Sequence, residues 1–173
     1  MTDSLYSDDT PEVSKVVAAA SSEPKLLDRL RETISKKVER PTVLIEVPDR
    51  PGVYIRIRPN ITQHQMRNWR KQAGEETKNG LDATKFAAFV VGHNTIGIEI
   101  DDEEVFDEDG NSLNFASPIV LEMTDSDRPV PDAVRAFFGT DPHVEAAALA
   151  ILEAAGYGDT VEAVDPTMRS STN

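Results

Sequence analysis

The acidic stretch 101–111 holds the residue types most typical of a metal site. It reads Asp101-Asp102-Glu103-Glu104, then Asp107-Glu108-Asp109-Gly110-Asn111. An EF-hand calcium loop needs oxygen ligands at its first, third and fifth positions and Glu at its twelfth, around a glycine at the sixth. With Gly110 as that glycine, Val105 falls first and Ala116 twelfth. The register excludes an EF-hand and favours a hairpin turn with acidic flanks, leaving open only weak binding of a divalent ion.

The rest of the sequence offers few residues in patterns typical of catalytic sites. There is no cysteine, which excludes disulfides, thiolate metal sites and a thiol nucleophile. His64, His93 and His143 are far apart, and none has a second ligand at metal-binding spacing. Glycine-rich phosphate loops and nucleophile elbows are absent from the sequence. We therefore predict no catalytic, cofactor-binding or metal-binding residues, and a protein that is not an enzyme.

Charge is unevenly distributed along this chain of net charge −13. Residues 25–80 carry thirteen Lys and Arg against seven acids, whereas residues 81–173 carry four against nineteen. The net negative charge of the chain opposes nucleic-acid binding, because phosphates are also negative. Proteins that bind single strands stack several aromatic side chains on the bases, and the basic segment offers only Tyr54 beside its arginines. The basic segment is either an ordinary solvated surface or a partner-docking surface. Its candidate docking residues are Arg56, Arg58, Arg67 and Arg70.

The segment 41–74 must position these arginines. Thr42–Val47 and Val53–Arg58 are rich in β-branched residues and flank the turn-forming loop 48–52, which predicts a hairpin. Val53, Ile55 and Ile57 fall on one face of the second strand, and Arg56 and Arg58 on the other. A helix capped at Asn60 or Thr62 is predicted to follow, reaching Ala73 and ending at Gly74.

The remaining elements predict an α+β fold of small hairpins packed with about five short helices. A helix over 83–91 capped by Asp82, a turn at Gly92–Asn94 and a strand at Thr95–Ile100 come next. A second hairpin is predicted around Asp109-Gly110, with Val105-Phe106 and Leu113–Phe115 as its arms. Further helices are predicted at 24–38, 118–124, 132–138 and 141–155. The predicted organisation is a disordered acidic N-terminus (1–24), one domain (25–156) and a flexible polar tail (157–173).

The sequence lacks an apolar run near the length of a membrane span, and its first twenty residues lack a basic signal-peptide start. We therefore expect a soluble cytoplasmic protein with no membrane partner.

Three phrases resemble tail assembly chaperones of long-tailed, siphovirus-type bacteriophages of actinobacteria. They are Arg40-Pro41-Thr42-Val43-x-Ile45-Glu46-Val47-Pro48, the helix from Asn60-Ile61-Thr62 to Trp69-Arg70, and Arg128-Pro129-Val130-Pro131-Asp132-Ala133-Val134-Arg135-Ala136-Phe137-Phe138-Gly139 followed by Asp141-Pro142-His143. The likeness covers about 33–165. It depends on phrases and layout and not on a catalytic signature.

The resemblance implies a non-enzymatic late protein of the host cell cytoplasm. Such chaperones bind the phage tape measure protein, keep it soluble and promote assembly of the tail tube. It implies further partners, namely the major tail tube protein and a longer form of this chain made by programmed ribosomal frameshifting. It also implies that the protein is not retained in the mature virion.

A client-binding role needs apolar groove walls. The candidates are Phe86, Phe89, Phe137 and Phe138, and Leu149 and Leu152 on the last helix, although each of them could equally pack the core. Two other classes of protein remain open. One is a structural virion protein of the head–tail connector or tail terminator, and the other is a small host-directed binding module.

Overall fold

The computed structural model describes residues 23–158, and the chain falls into two units, 1–39 and 40–173. In the first unit, helix α1 (Glu23–Ser35) carries the exposed ion pairs Asp28–Arg31 and Glu32–Lys36, both at 3.6 Å. The prediction placed this helix within the domain 25–156. The predicted tails lie outside the described residues, except for 23–24 and 157–158.

The second unit contains a four-stranded antiparallel sheet. Its strands are β1 (Val43–Glu46), β2 (Val53–Ile57), β3 (Thr95–Ile100) and β4 (Glu103–Glu104), in the order β1-β2-β3-β4. Ile45 pairs with Ile55, which pairs in turn with Ile98. The predicted first hairpin is therefore confirmed, and its alternation also holds, since Ile55 and Ile57 are fully buried while Arg58 is exposed.

Five helices accompany the sheet. They are α2 (Gln63–Gln72), α3 (Ala83–Asn94), α4 (Pro118–Met123), α5 (Pro131–Phe138) and α6 (Asp141–Ala154). Helix α3 packs against α2, α5 and α6, and α6 also contacts β1. The described part of the chain thus has six helices and one antiparallel sheet, which confirms the predicted α+β class.

The core lies between the helices and one face of the sheet. Val47, Ile55, Ile57 and Ile98 bury there with apolar side chains from α3, α5 and α6. Arg50, in the β1–β2 loop, donates hydrogen bonds to the carbonyl oxygens of Phe137 and, at 3.4 Å, Ala136. A cation at these last carbonyls satisfies the end of α5 and ties the loop to the helix.

Capping residues lie at ends of helices α2, α3 and α5. The Thr62 side chain accepts a hydrogen bond from the Gln65 backbone N–H at 3.2 Å, and the Gln65 side chain accepts one from the Thr62 N–H. Asp82 caps α3 in the same way through the backbone N–H of Lys85, at 2.9 Å. Gly139 ends α5 with a φ of 82°. Each satisfies backbone groups that a helix terminus leaves unpaired.

The predicted turn at Gly92–Asn94 is wrong, because α3 continues to Asn94 and meets β3 directly. The Asn94 amide and the Thr95 hydroxyl donate to the carbonyl oxygens of Val90 and Val91, at 2.7 and 2.8 Å, and so satisfy the last helical turn. The glycine at position 92 is needed for close packing and not for a turn. A Cβ added there would lie 2.3 Å from Cγ1 of Val130.

The second predicted hairpin is confirmed in its turn at Asp109-Gly110, where the Gly110 N–H donates to the Asp107 carbonyl at 3.0 Å, but its arms do not form a strand ladder. The strand that pairs with β3 is Glu103–Glu104, reached through a two-residue turn at Asp101 and Asp102, whose φ angles are 51° and 68°. Aspartate tolerates this left-handed conformation, which two-residue hairpins favour. The predicted arms around Asp109-Gly110 meet only at one bridge, between Phe106 and Ser112.

Candidate partner-binding surfaces

The outer face of the sheet holds an ionic network centred on Arg56. Its guanidinium donates to Glu104 at 2.5 Å and also to Glu99, and the Ser112 hydroxyl donates to Glu104 at 2.7 Å. The Glu99 side chain is 8% exposed and that of Arg56 is 33% exposed. Arg56 therefore compensates a nearly buried carboxylate.

Strand register creates this network. Arg56 lies opposite Gly97, where a Cβ would approach Glu104 Oε1 to 3.0 Å. Glu99 lies opposite Glu104 across β3 and β4. The Ser112 hydrogen bond and then Arg56 lower the pKa of Glu104, while the two carboxylates raise the pKa of Arg56. The network therefore holds Arg56 and Glu104 in their charged forms.

The other three predicted docking arginines differ in whether an acidic side chain already pairs with them. Arg70 pairs with Glu75 at 2.6 Å, at the C-terminal end of α2. Arg58 and Arg67 are exposed, and neither forms an ion pair or side-chain hydrogen bond with a residue of the described range. Of the four arginines, Arg58 and Arg67 are thus the ones whose charge is free for a partner.

The residues predicted as apolar groove walls also differ in their exposure to solvent. Phe138 is 2% exposed and belongs to the core. Phe137 is half-buried, with its ring edge-to-face on Phe115 at 5.2 Å. Leu152 is half-buried against the core, whereas Leu149 is 59% exposed on the solvent side of α6. Phe86 is half-buried against the core, and Phe89 is buried and stacks on His93 at 5.8 Å.

An apolar groove beside α4 was not predicted. It is an open cavity of about 470 Å³ between α4 and the 105–113 segment, called here the α4 groove. Its apolar lining is Val105, Phe106, Leu113, Pro118, Ile119 and Met123. Leu113 is buried in the floor, but Phe106, Ile119 and Met123 are 53%, 42% and 64% exposed. Exposed apolar side chains clustered in this way are typical of interaction sites.

Within the described part of the chain, the ionisable side chains that line the α4 groove are all acidic. They are Asp107, Glu108, Asp109 and Glu122. Asp107 is engaged locally, because its carboxylate accepts backbone N–H bonds from Asn111 and Asp109 at 2.8 and 3.0 Å. Hydrogen bonding, chiefly from the Asn111 backbone, lowers its pKa. The other three carboxylates have no ion-pair partner in the described range.

Within 23–158, no group of three or more His, Cys, Asp or Glu side chains is arranged to hold a metal ion. In the same range, every helix is too short or too polar to cross a bilayer.

Comparison with known proteins identifies no relative: no family model, no curated protein and no solved structure matches the chain. The resemblance to tail assembly chaperones therefore stays a prediction from the sequence phrases.

Proposed function

We propose that this protein is a tail assembly chaperone of a long-tailed actinobacterial phage. It binds the tape measure protein in the host cytoplasm, keeps it soluble while tail tube subunits assemble around it, and leaves before the virion is complete. It needs no cofactor and catalyses no reaction. The sequence phrases within 40–143 support this assignment.

The observation that carries the proposal is an exposed apolar stripe on α1. Leu26, Leu27, Leu30 and Ile34 fall on one side of that helix, and all four are exposed. An amphipathic helix of this kind binds a partner by placing its apolar side against another apolar surface. The net charge of −13 supplies the solubility that a protein with exposed leucines needs.

The test is co-expression with the tape measure protein, which the proposal places downstream in the same phage genome. We expect the tape measure protein to be insoluble alone, and soluble and co-purifying when this chain is present. A tape measure protein that stays insoluble, or is soluble without forming a complex, would contradict the proposal.

A matched pair of variants tests whether α1 contributes. Replacing both Leu27 and Leu30 by Ser removes half of the stripe, and we expect most of the co-purification to be lost. Replacing Arg29 and Glu32 by Ser places the same number of serines on the charged side and should preserve it. Equal loss in both variants would show that helix formation, and not the apolar stripe, matters.

Mass spectrometry of purified virions separates the chaperone from a structural virion protein. The proposal predicts that the protein is abundant in infected cells and absent from particles. Stoichiometric presence in particles would instead assign it to the connector or tail terminator.

A further inference from the structure

The α4 groove combines exposed apolar side chains with an acidic rim, formed by Glu108, Asp109 and Glu122, that has no ion-pair partner within the described range. We propose that it docks a cationic amphipathic helix, with an apolar stripe in the groove and Lys or Arg on both sides of that stripe. The inference rests on the proposed function only for the identity of the natural partner, since the groove itself defines the chemistry.

Apolar side chains on both walls of the α4 groove can contact a partner. Phe106 projects from one wall, and Ile119 and Met123 from the other, above the buried floor residue Leu113. Side chains one turn apart on an entering helix are separated by about 5 Å and can reach successive anchors. Methionine adapts its shape to different apolar surfaces, which suits Met123 to binding a partner.

The acidic side chains on both walls favour a cationic partner. Glu108 and Asp109 stand on the loop wall and Glu122 on the helix wall, and no Lys or Arg among residues 23–158 lines the groove. An acidic partner would be repelled from both walls. A partner with cations on both sides of its apolar stripe would gain attraction and faster encounter.

The backbone around the groove explains why the occupant is a helix and not a strand. The Asp107 N–H donates to Asn111 and the Gly110 N–H donates to Asp107, each at 3.0 Å. The nearby strand β4 has only two residues. Little free backbone is available there for strand addition, whereas a helix satisfies its own backbone hydrogen bonds.

The experiment uses the full chain and two labelled synthetic peptides of about eighteen residues that share one leucine stripe. One has Lys and Arg on both sides of the stripe, and the other has Glu at the same positions. Fluorescence anisotropy at about 50 mM and 300 mM salt gives the affinities. At low salt, we expect the cationic peptide to bind at least tenfold more tightly than the acidic peptide. This difference in affinity should decrease at high salt, because salt screens the charges of the acidic rim.

Matched variants locate the binding. Met123→Ser should weaken binding of the cationic peptide about tenfold, whereas Leu44→Ser, at an exposed leucine of β1 outside the groove, should change that binding less than twofold. Glu122→Lys should weaken binding of the cationic peptide several-fold more than Glu153→Lys does. The Glu153→Lys variant is the control, because it changes the net charge by the same amount but lies on α6.

Three results would overturn the proposal: no binding of the cationic peptide, equal binding of both peptides, or equal effects of the groove and control variants. Peptide binding does not involve the tape measure protein. A failed co-expression therefore leaves this inference intact, and a failed peptide assay leaves the proposed client intact.

Discussion

Replacing Arg56 by methionine should destabilise the protein far more than the same change at Arg58. Methionine keeps the aliphatic contacts of Arg56 but leaves the nearly buried Glu99 without its cation. Breaking a buried ion pair typically costs about 3–5 kcal/mol. Because one third of the Arg56 side chain is exposed to screening solvent, we expect a loss of about 2 kcal/mol. Arg58→Met should stay within about 0.5 kcal/mol.

Urea denaturation followed by fluorescence of Trp69, the only tryptophan, measures both variants. With a slope of about 2 kcal/mol/M, the Arg56→Met midpoint should fall by about 1 M, at an unchanged slope. Adding Glu99→Gln to Arg56→Met should recover part of the loss, because it removes the uncompensated charge. Equal midpoints for Arg56→Met and Arg58→Met would refute the reasoning.

The pH dependence gives a second readout of the same network. The folded-state pKa of Glu104 is lowered, so its contribution to stability is present above about pH 4.5 and is lost as pH falls through the folded pKa. Part of that lowering comes from Arg56. The stability difference between wild type and Arg56→Met should therefore narrow below about pH 4.5, and a constant difference would contradict this cause.

Three further predictions concern the helices. Gly92→Ala should lower the free energy of unfolding by about 1–3 kcal/mol, since the new methyl group would overlap Val130; an unchanged melting temperature would contradict this packing. His93 is exposed overall, but partial burial of its ring, which stacks on Trp69 at 5.5 Å, lowers its pKa, so stability should fall slightly as pH drops below 6.5 and the unfolded state takes up the proton. His93→Gln should flatten that slope, and an identical slope would exclude His93 as its source. Thr62→Val should cost about 1 kcal/mol in denaturant unfolding through loss of the helix cap, whereas no cost would show that the cap is dispensable.

Elements with local signals were predictable from the sequence. The first hairpin has β-branched strands around a loop of turn-forming residues, and the caps at Thr62 and Asp82 precede helical spacing directly. The turn at Gly92 was predicted wrongly because a glycine near the end of a helix is typical of a turn. Glycine is instead needed there because Val130, distant in the sequence, packs closely against its backbone. The turn at Asp101-Asp102 was missed because its residues looked like an acidic cluster.

The binding surfaces were less predictable, because they depend on contacts between distant residues. Arg56 looked like a free cation, but its two carboxylates lie 43 and 48 positions away. Strand register alone brings them together. In the α4 groove, the exposed Ile119 and Met123 follow the spacing of a short helix, but only the folded loop places Phe106 and the acidic rim opposite them. Charge reversal at Arg58 or Arg67 is thus a cleaner test of partner binding than reversal at Arg56.

Hydrogen–deuterium exchange of the full chain, with and without the tape measure protein, tests the central claim most directly. The account predicts a stable complex in which amides of α1 and of the segment 105–123 become protected. Amides of the β1–β2 loop, residues 48–52, should exchange at the same rate with and without the tape measure protein. No complex, or protection confined to surfaces other than α1 and the α4 groove, would contradict the account.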